Sequence, residues 1–170
     1  MTARSVDLAR AQRLIAPLLG EPAWRVEQGY GSYVTMEFGP PLPPDTGGFV
    51  HGRWHLWIQM AAWRLETADR VIAGSEDQGL QQALSRLEGR PLTAVTIQPP
   101  SLAAVFDFDG LRLVTFPIYR SDPEDGEFDH WLLWLGNGEV LVAASDLTVE
   151  PSSADGTASP SGDALAEDLP

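Results

Sequence analysis

The 170-residue chain has no cysteine and no lysine, and histidine occurs only three times. Without cysteine there is no disulfide, no thiolate nucleophile and no cysteine-ligated zinc. Without lysine there is no Schiff base, no Ser-Lys dyad and no Walker lysine. No apolar stretch approaches the ~18 residues of a membrane span. Near the start, Asp7, Arg10 and Arg13 interrupt the apolar residues, so no signal peptide is read there. Eleven basic residues, all arginine and scattered, face 24 acids for a net charge of −13. That balance argues against a phosphate-backbone partner. The expectation is a soluble cytoplasmic protein with no cofactor and no nucleic-acid or membrane partner. A homodimer is compatible with the sequence.

What the chain does have is an internal echo. Leu18-Leu19-Gly20-Glu21-Pro22 returns as Leu87-Glu88-Gly89-Arg90-Pro91, 69 residues on. Val26 then matches Val95, Ser32 matches Ser101, and Phe38 matches Phe108. Val71 to Glu76 is echoed by Leu141 to Asp146. A fixed offset of this kind is the signature of a repeated structural unit. The expected fold is α+β: a tandem duplication of a helix plus an antiparallel β-meander, packed with pseudo-twofold symmetry. The halves are residues 1–75 and 76–150, in one compact body. Residues 151–170, rich in Ser, Gly, Ala, Pro and acid, are expected to form a disordered acidic tail.

Apolar spacing predicts a helix from Ser5 toward Leu18, kinked or ended near Ala16 by Pro17, and another from about Ser75 to Leu87, with Gly20 and Gly89 as the stops. Ser5 and Ser75 are the expected N-caps. Alternation predicts strands at 23–28, 33–38, 54–60, 62–67 and 70–74, then at 92–98, 102–108, 111–116, 131–135 and 139–143. A proline-rich excursion (Gly39 to Arg53) interrupts the first half, and Pro117 to Asp129 interrupts the second. Residues 87–146 resemble a widespread type of uncharacterised bacterial α+β domain. The pattern is L-x-G at Leu87-Glu88-Gly89, an F-D-D/N-G-type hairpin within Leu102 to Leu113, and W-x-L at Trp131-Leu132-Leu133, followed by a short turn and an apolar strand to Val142. The resemblance supports the fold reading and implies no activity.

Few residues suggest chemistry. His51 and His55 stand four apart, a spacing that binds metal on a helix, but the Trp54, Leu56, Ile58, Met60 alternation reads as strand. The pair is therefore taken as partly exposed strand histidines, with no metal site and no catalytic residue assigned. Glu37 or His130 is the further ligand that could approach in space. Five carboxylates between Asp122 and Asp129 miss the calcium-loop spacing, since Gly126 falls at position five and Leu133 at twelve. They read as a solvated acidic loop. Gly29 to Tyr33 reads as a β-turn rather than a phosphate cradle.

Six tryptophans are the remaining feature. Trp54 and Trp57 have opposite parity on one strand, as do Trp131 and Trp134, so one of each pair faces outward. Outward Trp57 and Trp134, with His55, Tyr119 and Arg64, form the candidate binding surface. The expected function is a non-enzymatic protein-binding or adaptor role, of immunity or regulatory type. The alternative is a small-ligand-binding domain with its pocket between the two halves. Chemistry by His55 and His130 requires those rings to converge.

Overall fold

The structure is a computed structural model that describes residues 3–119 and 127–152. Helix α1 (Leu8–Ile15) is capped by Asp7, whose carboxylate accepts the Arg10 N–H at 2.7 Å. Ser5, the expected cap, lies instead in a short strand, β1 (Arg4–Ser5). Pro17 has no N–H to donate, and the helix tightens into a 3-10 turn over Ala16–Leu18. Helix α2 (Leu80–Leu84) and a 3-10 turn at Ser85–Leu87 repeat that plan. Gly79 begins α2 with φ +72°, and Ser75 is not its cap. The buried Ser75 hydroxyl accepts the Trp63 N–H instead.

The remaining strands are β2 (Ala23–Gln28), β3 (Val34–Pro41), β4 (Gly52–Ile58), β5 (Ala61–Glu66), β6 (Val71–Gly74), β7 (Ala94–Gln98), β8 (Ala103–Phe108), β9 (Leu111–Pro117), β10 (Trp131–Trp134), β11 (Glu139–Ala143) and β12 (Leu147–Pro151). One sheet has the order β1-β12-β11-β10-β4-β3-β2 and the other β6-β5-β9-β8-β7, with every pairing antiparallel. With two short helices, the class is α+β. The chain changes sheet at Gln59-Met60. Residues 1–75 supply β1, β2, β3 and β4 to the larger sheet and β5 and β6 to the smaller. Residues 76–151 supply β7, β8 and β9 to the smaller and β10, β11 and β12 to the larger.

The two L-x-G-x-P segments lie against each other. Gly20 N–H donates to Leu92 and Gly89 N–H to Ala23, both at 2.7 Å. Ala23 N–H donates to Arg90 and Leu92 N–H to Glu21. Pro22 and Pro91 face one another between these bonds. Edge strand β2 is covered by side chains from α2 and its 3-10 turn. The Glu88 carboxylate accepts the Arg25 and Val26 N–H groups, and the Gln81 amide bonds Gln28 N–H and the Val26 carbonyl. These bonds satisfy an edge that would otherwise offer itself to another strand.

Inner faces of both sheets and the helices share one core. Phe38 stacks on Phe108 across the sheets (6.3 Å, 15°), and Phe106 meets Trp131 edge-on at 5.8 Å. Fully buried Trp63 and Trp131 each find an acceptor for the indole N–H, the carbonyls of Ser32 and Leu102. Strand β12 was not expected. Its residues Leu147 and Val149 extend the core, and Pro151 pairs with Glu139. The folded chain thus runs past the expected start of the tail. Residues 153–170, and most of the acidic loop (120–126), lie outside the described residues. Among the described residues no helix is long and apolar enough to cross a membrane.

Phe108→Ala removes the partner of Phe38 at a site with no solvent exposure. It is expected to cost about 3–5 kcal/mol, read from the urea midpoint at unchanged m-value.

Candidate functional site

Alternation assigns the faces of the larger sheet. Val34, Met36 and Phe38 of β3, Trp54, Leu56 and Ile58 of β4, and Trp131 and Leu133 of β10 point into the core. Outward positions are then Thr35 and Glu37, Arg53, His55 and Trp57, and Leu132 and Trp134. Register aligns these in two rows. Glu37 sits opposite His55, His55 opposite Trp134, and Trp134 opposite Val140. The next row is Thr35, Trp57, Leu132 and Val142. Leu132, Val140 and Val142 are buried on this outer face, and Trp134 packs on them as a second, smaller apolar cluster.

Aromatic rings run as a string across these rows. Tyr30 meets Tyr33, Tyr33 meets Trp57, Trp57 stacks on Trp134 at 6.2 Å, Trp134 tilts over His55 at 4.9 Å, and His55 meets His51 at 5.0 Å. The parity expected for the tryptophans holds, with Trp54 and Trp131 inside. The expected openness does not: Trp57 and Trp134 are half-buried, because each covers the other and the apolar row beneath.

His51 and His55 would stand roughly 13 Å apart on a straight strand, at ~3.3 Å per residue. Between Phe38 and Pro41, β3 carries a bulge, with Gly39 at φ +71°. The opposing Gly52 lies so close to β3 that a Cβ would stand 2.4 Å from the Phe38 carbonyl oxygen. The bend at this point brings the His51 ring back onto His55. Buried Glu37 lies between them. Its Oε2 accepts the Gly52 N–H at 2.8 Å, which turns Oε1 toward His51 Nδ1 at 3.0 Å and His55 Nδ1 at 2.8 Å. The His51 approach is a hydrogen bond. The His55 approach lies outside hydrogen-bond alignment, and its Nδ1 is buried with no hydrogen-bond partner. Burial pushes the Glu37 carboxyl upward, but His55, the Gly52 N–H and His51 together outweigh it and hold it below its ordinary range.

Beside this trio opens a cavity of about 400 Å³. Leu42, Pro43 and Asp45 of the excursion wall one side, and Trp134, Gly136 and Glu139 wall the other. The Asp45 Oδ1 atom holds its own loop through the Gly47 and Phe49 N–H groups, while Oδ2 lies 3.7 Å from His51 Nε2. Gly136 permits the far wall, since a Cβ there would stand 2.5 Å from the Arg53 carbonyl oxygen. No family model, curated protein or solved structure matches the chain.

Of the five sequence-predicted site residues, His55, Trp57 and Trp134 come together. Arg64 does not. It lies on β5 in the smaller sheet, pairs with Glu66 at 2.6 Å and covers the Phe116 ring. Tyr119 packs on Phe128 and approaches only the far end of the string, at Tyr33. Both placements follow from the passage of β5 to β9 through the smaller sheet: Arg64 lies on β5, and Tyr119 follows β9. Burial raises the Tyr33 hydroxyl above its ordinary range, with Tyr119 and Tyr30 adding to it. His130 precedes β10 and lies four residues, roughly 13 Å of strand, from Trp134. It is buried against the Met60 carbonyl, and burial lowers its pKa. The His55–His130 convergence that acid–base chemistry required is not formed. Sequence reasoning named Glu37 as a residue that could approach the histidines, and missed Asp45. The hairpin register that sets Glu37 opposite His55 was the available signal.

At the other end of the same face, burial pushes the Asp129 carboxyl up to about 6, with Glu150 and Glu127 adding repulsion. The unfolded group titrates near ~3.9. The folded chain thus binds this proton more tightly, and the associated stability is present below about pH 4 and lost as pH rises through about 6. Asp129→Asn is expected to leave Tm unchanged at pH 4 and raise it at pH 8, with a flatter profile between. Differential scanning calorimetry across that range checks it.

Proposed function

We propose that the chain is a non-enzymatic binding protein whose small ligand sits in the cavity between the two halves. One observation carries the reading. The cavity is walled by the 42–53 excursion on one side and by the β10–β11 turn on the other, so each half contributes a wall. Its floor offers the Trp134 ring as an apolar platform and the His51 and His55 rings as polar anchors, the mixture that small-molecule sites use. The opposite face of the molecule, on the smaller sheet, carries the Arg64–Glu66–Arg112 ion pairs instead.

The halves are read as copies of one unit that exchange strands about a pseudo-twofold axis. Support comes from the way both halves cross between the sheets, β2–β4 then β5–β6 in one and β7–β9 then β10–β11 in the other, from the reciprocal bonds of Gly20 and Gly89, and from the matched indole bonds of Trp63 and Trp131. A unit of that size has a marginal core by itself, and burying its sheet against a sibling enlarges the core.

A protein partner is the second reading, and a different observation favours it. Phe49 is 65% exposed on the 42–53 excursion, and Leu42, which lines the cavity, is 44% exposed, which places apolar area where a partner would touch.

A thermal-shift screen of small aromatic and heterocyclic compounds is expected to yield stabilising ligands. Their binding should quench tryptophan fluorescence and weaken at least about tenfold in Trp134→Ala, while Phe49→Ser binds as wild type. Stabilising ligands that bind Trp134→Ala unchanged would refute the pocket. A partner captured by wild type and lost in Phe49→Ser would move the function to the excursion.

A further inference from the structure

We infer that Glu37, His51 and His55 form a binding site for one divalent transition-metal ion of the zinc class, beside the cavity that the two histidines line. The inference deepens the pocket reading and rests on it for the route by which an ion reaches the three side chains. The ligand atoms, one from each residue, all lie within 4.8 Å of one another. Across a tetrahedral shell with metal–ligand bonds of ~2.0–2.2 Å, they would stand about 3.3 Å apart, so small side-chain rotations close the set. Two imidazole nitrogens and one carboxylate suit zinc, cobalt or nickel, whereas calcium and magnesium prefer oxygen alone.

Three features of the geometry point to a cation rather than a histidine–carboxylate pair. His55 Nδ1 stands 2.8 Å from Glu37 Oε1, yet it is out of hydrogen-bond alignment and has no other partner while buried. A buried nitrogen left unsatisfied is costly. Lone pairs that converge on an ion give this close, misaligned approach between two ligands. Next, the Gly52 N–H holds Glu37 Oε2, so Oε1 is presented to both rings before any ion arrives. Third, Asp45 Oδ2 lies behind the His51 ring, on the Nε2 side and away from Nδ1. A carboxylate behind a ligating imidazole is the arrangement that orients metal-binding histidines.

The wall around the trio adds Asp45 and Glu139 against Arg53, a balance that favours a positive ion. Three protein ligands leave a fourth position, and His51 and His55 both line the cavity. A bound molecule with a donor atom would complete the shell there.

The test titrates chelator-treated full-length protein with Co²⁺, followed by visible absorption, and with Zn²⁺ by calorimetry. One ion per chain is expected, with affinity reduced at least about tenfold in His55→Ala, Glu37→Gln and His51→Ala, and about tenfold in Asp45→Asn. His51 is one-third exposed, so its variant should fold as wild type, with melting curves as the check. Failure of wild type to bind Co²⁺ or Zn²⁺, or equal binding by His51→Ala and wild type, would overturn the inference. These titrations contain no organic ligand. Metal binding that fails while the chelated protein still binds screen hits through Trp134 would sink the metal site and leave the pocket standing.

Discussion

Pairing of β4 with β10 is the constraint from which the rest of the molecule follows. It joins a strand of the first half to one of the second in the middle of the larger sheet, with Ile58 opposite Trp131 and His55 opposite Trp134. On the inner face, this register places Trp131 where it meets Phe106 of the other sheet. On the outer face, it stacks Trp57 on Trp134 and tilts Trp134 over His55. A slip of one residue would exchange the two faces, placing Trp134 in the core and Trp131 outside. Core and candidate site therefore depend on the same set of backbone hydrogen bonds. The matching pair in the smaller sheet, β5 with β9, buries Trp63 in the same way but leaves arginine and glutamate outward.

Burial on both faces distinguishes the larger sheet. A one-sided antiparallel sheet has polar residues outward, yet Leu132, Val140 and Val142 are nearly free of solvent there. Beneath such a surface a polar group needs a partner. Glu37 satisfies this with the Gly52 N–H and His51, which explains how a carboxylate with 3% exposure persists. The bulge at Gly39 and the close approach at Gly52 make that solution possible, because they fold the excursion back over the sheet.

Much of the local structure was legible in the residues. Alternation located ten of the twelve strands among the described residues, since half-buried strands follow a period of two. The missed pair are β1 and β12. β12 closes a hairpin on β11, and β1 is two residues that gain strand character by pairing with β12, far along the chain. The Ser75 cap failed for a similar cause. Its hydroxyl was recruited by Trp63, and a tertiary bond won over a local one. Asp45 carried no signal, because an aspartate in a proline-rich segment reads as a turn residue.

By itself the sequence determined the class of the fold, the helix stops at Gly20 and Gly89, the opposite parity within each tryptophan pair, and the absence of thiol and amine chemistry. These are properties of composition and of short periods along one chain. Only tertiary structure decided which sheet each strand joins, and so it separated Arg64 from His55 while bringing Glu37, His51, His55 and Trp134 into one cluster. Strand pairing brings distant segments within ~5 Å of one another, and no spacing along the chain encodes which segments those are.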